Sequence, residues 1–128
     1  MRPRTLLLSL FLLVLNACTL QAQTDRLDTK TFQQRLAQPG VQLVDVRTPE
    51  EFAKGHLDGA VNIDWLADGF MDKAGKLDKS KPVLLYCAAG GRSEEALATM
   101  KKAGYTKAVD MLGGFNGWKK AGLPVSTK

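Results

Sequence analysis

The chain has 128 residues, 24% of them charged and 45% hydrophobic, and carries 18 basic against 13 acidic residues for a net charge of +5. Setting aside Arg2 and Arg4 leaves a mild excess of 16 over 13, and no basic run with interleaved aromatics marks a nucleic-acid footprint. One histidine and two cysteines, far apart in sequence, fall short of the usual ligand count, so neither a metal nor a cofactor is expected.

The first segment reads as a targeting signal. Arg2 and Arg4 precede an apolar run, Leu6 to Leu15, too short for the roughly 20 residues that span a bilayer core. A basic start, a short apolar region and small residues beyond it are the pattern of a secretory signal over residues 1–22. Two cleavage readings stand. Leu15-Asn16-Ala17-Cys18 resembles a lipobox, which would make Cys18 a lipidated N-terminus and a membrane tether. Asn16 departs from that pattern, and a cut after Ala22 is the alternative. Either way the expected compartment is the periplasm, with an outer-membrane anchor if Cys18 is lipidated, since Thr19 rather than an aspartate follows it.

The remaining residues, about 105 to 110, suffice for one domain with its own core, expected over 27–126. Asp28 to Leu36 reads as a short helix ended by Pro39-Gly40. Val41 to Val46 is a β-branched run suited to a buried strand. Thr48-Pro49-Glu50-Glu51 supplies an N-cap, a first-turn proline and two acids, so a helix follows until Gly55. Ala60 to Ile63 is a short strand, and Asp64 to Ser80 holds a short helix and loops. Pro82 to Tyr86 is a strand, Ser93 to Lys102 a helix with acids first and lysines last, Ala108 to Leu112 a strand, and Phe115 to Ala121 a closing helix. Alternating strands and helices imply an α/β fold, an open, mostly parallel sheet with helices on both faces. Ligands in such sheets lie outside the carboxyl ends of the strands. Cys87 falls at one such end.

The segment Cys87-Ala88-Ala89-Gly90-Gly91-Arg92-Ser93 joins that strand to the following helix. Free N–H groups at a helix start favour negative charge and lower a thiol pKa from its free value of roughly 8.5. The glycines let successive N–H groups converge on one point, and Arg92 adds a fixed positive charge. In an oxidising compartment an unpaired Cys87 is itself a sign of a reactive thiol.

Three segments together resemble the rhodanese family of sulfurtransferases: Leu43 to Phe52 running on through Gly55-His56-Leu57-Asp58-Gly59-Ala60 to Ile63, the loop Cys87 to Arg92, and Tyr105 through Gly113-Gly114-Phe115 to Trp118. The short form and export signal look most like its single-domain periplasmic, phage-shock-type members. The resemblance implies about five mostly parallel strands and a double displacement through a Cys87 persulfide. Thiosulfate would be the donor and cyanide or a thiol the acceptor. It further implies an anion-binding set of Ala88, Ala89, Gly90, Gly91, Arg92 and Ser93, with Arg92 on the sulfonate. Asp45 and Arg47 would brace the neighbouring loops by hydrogen bonds and an ion pair, with Glu51 as a further candidate partner, and His56 would be a packing and hydrogen-bonding residue rather than a base. Trp65 and Phe70 are open between pocket rim and core. An export signal and one compact domain favour a monomer. A related phosphatase loop would need five residues between cysteine and arginine; four intervene here. A non-catalytic binding module and a periplasmic thiol redox protein are the remaining alternatives.

Overall fold

The computed structural model describes residues 25–128, so the signal-peptide reading of residues 1–22 and Cys18 lie outside the described residues. Five strands form one sheet: β1 (Arg26–Leu27), β2 (Gln42–Asp45), β3 (Val61–Asn62), β4 (Val83–Tyr86) and β5 (Ala108–Met111). Their order is β1-β5-β4-β2-β3, and every pairing is parallel. The helices between them are α1 (Thr29–Leu36), α2 (Pro49–Lys54), α3 (Phe70–Ala74), α4 (Gly91–Lys102) and α5 (Gly114–Lys120).

Central β4 explains why the sheet needs both faces covered. Its four residues are all buried, and the pleat sends Val83, Leu85 and then Cys87 to one side, Leu84 and Tyr86 to the other. On the first side they meet Phe70 and Ala74 of α3 and Ala96, Leu97 and Met100 of α4. On the second they meet Phe32 of α1 and Phe115 and Trp118 of α5. Each large apolar side chain so buried contributes about 1.5–3 kcal/mol.

Two expectations are corrected in detail. β1 is an addition to the strands expected from the sequence pattern, because a two-residue strand has no periodicity and only its pairing with β5 defines it. Helix α4 starts at Gly91, not Ser93. Gly90 enters it in a left-handed conformation, and no side chain caps it. An isolated antiparallel bridge, His56 with Ser126, ties the end of the chain back beside α2. Because all strands run the same way, Arg47, Cys87 and the Gly113-Gly114 turn emerge along one edge of the sheet.

Candidate active site

Cys87 follows β4 directly and is 1% exposed, whereas Ala89 and Gly91 beyond it lie on the surface. The backbone curls around the sulfur, and the Gly90 N–H donates to Cys87 Sγ at 3.0 Å. That curl requires φ +108° at Gly90, a conformation open to glycine. Burial alone would push the thiol pKa up. The Ser93 hydroxyl and the N–H groups of Ser93, Gly90 and Ala89 outweigh it, so Cys87 sits below its ordinary value. It is the one free cysteine among the described residues.

The loop is held from beneath by a network absent from the sequence reading. Arg26 donates from Nε and Nη2 to the Asp110 carboxylate at 2.9 and 3.1 Å, and from Nη2 to the Gly90 carbonyl at 2.8 Å. Ser93 Oγ donates to Asp110 Oδ2 at 2.7 Å. Ser93 is fully buried, and its hydroxyl lies below the loop, between Asp110 and the sulfur, while its N–H is among the donors that favour the Cys87 anion. The register Arg26↔Asp110 between β1 and β5 puts the ion pair there. Behind the loop, Phe115 and Asn116 donate backbone N–H bonds to the carbonyls of Cys87 and Ala88 at 2.8 and 2.9 Å.

Arg92 is half-buried and meets Glu51 fork to fork, Nη1 to Oε1 and Nη2 to Oε2. Glu51 is fixed in turn by a capping box with Thr48. The Arg92 guanidinium is the largest of the influences that hold its carboxyl down at about 2. Two expectations change. Glu51 pairs with Arg92, not with the Asp45–Arg47 brace, and Arg92 is charge-compensated rather than free. Two of its five N–H donors are engaged with Glu51, and three remain.

Asp45 and Arg47 are both buried and pair directly, with Nη2 to Oδ2 at 2.6 Å and Nε to Oδ1 at 3.0 Å. Arg47 Nη2 also donates to the Gly55 carbonyl at 2.7 Å, and the guanidinium lies 4.1 Å from the Phe115 ring centroid. They join the ends of β2 and α2. His56 is buried, stacks on Phe52 at 3.7 Å, and sets its ring nitrogens 2.9 Å from the carbonyl oxygens of Phe52 and Lys128. It touches no residue of the cysteine loop through these bonds. Phe70 is core, with Trp65 edge-on to it at 5.0 Å and bonded to Glu95.

Beside the loop opens a pocket of about 260 Å³ lined by Arg47, Glu51, Lys54, Ala88, Phe115, Asn116, Lys119 and Val125. Chemically, the whole arrangement can hold a thiolate, surround an anion with N–H donors, and admit a small molecule from one side.

Known proteins resemble this chain in sequence and fold. A model of the rhodanese-like domain matches residues 28–121. The chain is 36% identical over 95 residues to thiosulfate sulfurtransferase 16 of the chloroplast of Arabidopsis thaliana, covering 66% of this chain and 79% of that one. It is 32% identical over 102 residues to a sulfurtransferase of Allochromatium vinosum, covering 79% and 94%. The crystal structure of a rhodanese-related protein from Thermoplasma volcanium superposes with a TM-score of 0.72 at 25% identity, covering 80% of this chain and 98% of that one.

Proposed function

The chain belongs to the rhodanese-like domain family, with sulfurtransferases among its relatives, and from that premise we propose that it moves sulfane sulfur from thiosulfate to a thiophilic acceptor through a Cys87 persulfide. The observation that carries this reading is the Cys87 sulfur, held below its ordinary pKa by the Ser93 hydroxyl and by N–H donors at the start of α4. A thiolate needs no histidine base, only surroundings that favour the anion.

In the first half-reaction the Cys87 thiolate attacks the outer sulfur of thiosulfate. A new S–S bond forms, the old one breaks, and its electron pair leaves with sulfite. Charge balances, since a thiolate and a dianion become a persulfide anion and a dianion. The N–H groups of Ala89, Gly90 and Ser93 already favour an anion at the sulfur, and with the rest of the loop from Ala88 to Arg92 they would hold the persulfide as they would any anion. Arg92, fixed by Glu51, offers its remaining donors to the sulfonate as charge moves onto departing sulfite. In the second half-reaction cyanide or a thiol takes the outer sulfur, and the electron pair returns to Cys87.

The basic and apolar segment Arg2 to Leu15 supports a periplasmic, phage-shock-type member, with Cys18 as the lipidation candidate. We place the monomeric domain there, tethered if Cys18 carries lipid. Fractionation of cells expressing the full chain, with and without Cys18→Ser, tests the location. Thiocyanate formation from thiosulfate and cyanide tests the reaction. Turnover by the parent protein and none by Cys87→Ser is the expected result; equal turnover by both would remove Cys87 from the chemistry.

A further inference from the structure

The pocket beside the cysteine loop carries charge that the first half-reaction does not use. Of its four ionised lining residues, Arg47 is neutralised by Asp45 and Glu51 by Arg92. Lys54 and Lys119 have no acidic partner among the described residues. They approach from different elements, the last turn of α2 and the last turn of α5. Lys119 lies 4.9 Å from the Phe115 ring centroid, over the pocket's apolar wall. Asn116 lines the same space, and its side chain forms none of the hydrogen bonds found among the described residues. The site thus offers two unpaired cations, one free amide and an apolar wall, which together suit an anionic group on a short carbon chain.

The pocket also reaches to within one residue of the reacting cysteine along the chain. Ala88, next to Cys87, forms part of its lining. Phe115 and Asn116, also lining residues, donate their N–H groups to the Cys87 and Ala88 carbonyls. At about 260 Å³ the space holds roughly eight water-sized groups. That suits a small thiol better than a peptide.

We propose that this pocket docks the acceptor, a small thiol bearing a carboxylate or sulfonate, with Lys54, Lys119 and Asn116 gripping its anionic end. The assignment rests on the sulfur-transfer reading. The acceptor thiolate attacks the outer sulfur of the Cys87 persulfide and forms a new S–S bond. The bond to Cys87 breaks, its electron pair returns to Cys87, and the acceptor leaves as its own persulfide anion. Neutral acceptors react as well but gain nothing from the two lysines.

The test has two arms. In the first, amide resonances of the protein are followed while ethanesulfonate, which has no thiol, is titrated in. Shifts centred on Ala88, Asn116 and Lys119 are expected. They should vanish in the Lys54→Ala/Lys119→Ala double variant and survive in Lys120→Ala, which alters the same turn of α5 outside the pocket. In the second, persulfide-loaded protein is discharged by 2-mercaptoethanesulfonate or by neutral 2-mercaptoethanol. The parent should show a KM about tenfold lower for the anionic thiol, and the double variant should lose that preference with the neutral thiol unchanged. Shifts that persist in the double variant, or thiols that discharge the parent alike, overturn the proposal. A protein that never takes up sulfur yet shows the pocket shifts overturns the sulfur-transfer reading and leaves the anion site standing.

Discussion

Arg92 Nη1 lies 2.7 Å from Glu51 Oε1 and Nη2 lies 3.0 Å from Oε2, so the arginine of the cysteine loop is clasped by the first turn of α2. This pair fixes the guanidinium at the loop's mouth while cancelling much of its charge. An incoming anion therefore meets a positioned donor set rather than a free cation.

Glu51→Gln should strengthen thiosulfate binding, with KM falling about threefold because the anion no longer competes with a carboxylate. Steady-state kinetics reads this, and a raised KM would contradict it. The same variant tests linkage. Glu51 is held at about 2 against an ordinary 4.5, so the charged pair stabilises the fold fully above about pH 5 and loses that contribution as pH falls through 2. The stability difference between parent and variant should be about 1 kcal/mol or less, given the exposure of the pair, and should shrink on acidification.

Ser93→Ala removes a hydroxyl that can turn its single proton from Asp110 toward the sulfur and so favour the Cys87 thiolate, and the thiol pKa should rise. Below its pKa the reactive form is depleted, and the acid limb of the alkylation rate should therefore move to higher pH. Iodoacetamide kinetics across pH 5 to 9, a range chosen to span the free thiol value of roughly 8.5, would show it. An unmoved limb would mean that the backbone N–H groups act alone.

Arg26→Met leaves the buried Asp110 carboxylate without its counter-ion. Stability should fall by about 3 kcal/mol, and the Cys87 thiol should rise beside an uncompensated negative charge. Adding Asp110→Asn should restore much of both. Chemical denaturation of the two single variants and the double variant measures the coupling.

Two glycines near the sulfur should behave in opposite ways. A Cβ on Gly114 would stand 2.5 Å from the Cys87 carbonyl oxygen and 2.7 Å from the Ala88 carbonyl, all backbone, at φ +55°. Gly114→Ala should displace the loop, with a loss of about 3 kcal/mol and most activity. A Cβ on Gly91 meets nothing within 4 Å, and Gly91→Ala should stay folded and gain about 0.5 kcal/mol from the less flexible unfolded chain. Thermal unfolding of both variants separates them.

What the sequence made legible was local. Thr48-Pro49 and Glu51 wrote the start of α2 because a capping box needs only neighbours, and Val83 to Tyr86 wrote the central strand as an unbroken apolar run. The fold class follows from that alternation and matches the observed parallel sheet. The acids after Ser93 put the start of α4 there in the sequence, whereas the entry at Gly90 has no side-chain cap and turns its N–H toward Cys87. The supports of the loop were illegible for another reason. Arg26 reaches Asp110 across 84 positions and Glu51 reaches Arg92 across 41, and only the strand order brings them together. Likewise Lys54 and Lys119 are ordinary helix-ending lysines until the fold sets them around one pocket.

Intact mass spectrometry reads sulfur carried on Cys87 most directly. The protein with Cys18→Ser would be weighed before and after thiosulfate, beside the same protein with Cys87→Ser. A gain of one sulfur atom, removed by cyanide and absent from the Cys87 variant, is the expected result. No gain on a Cys87 shown to be reduced would contradict it.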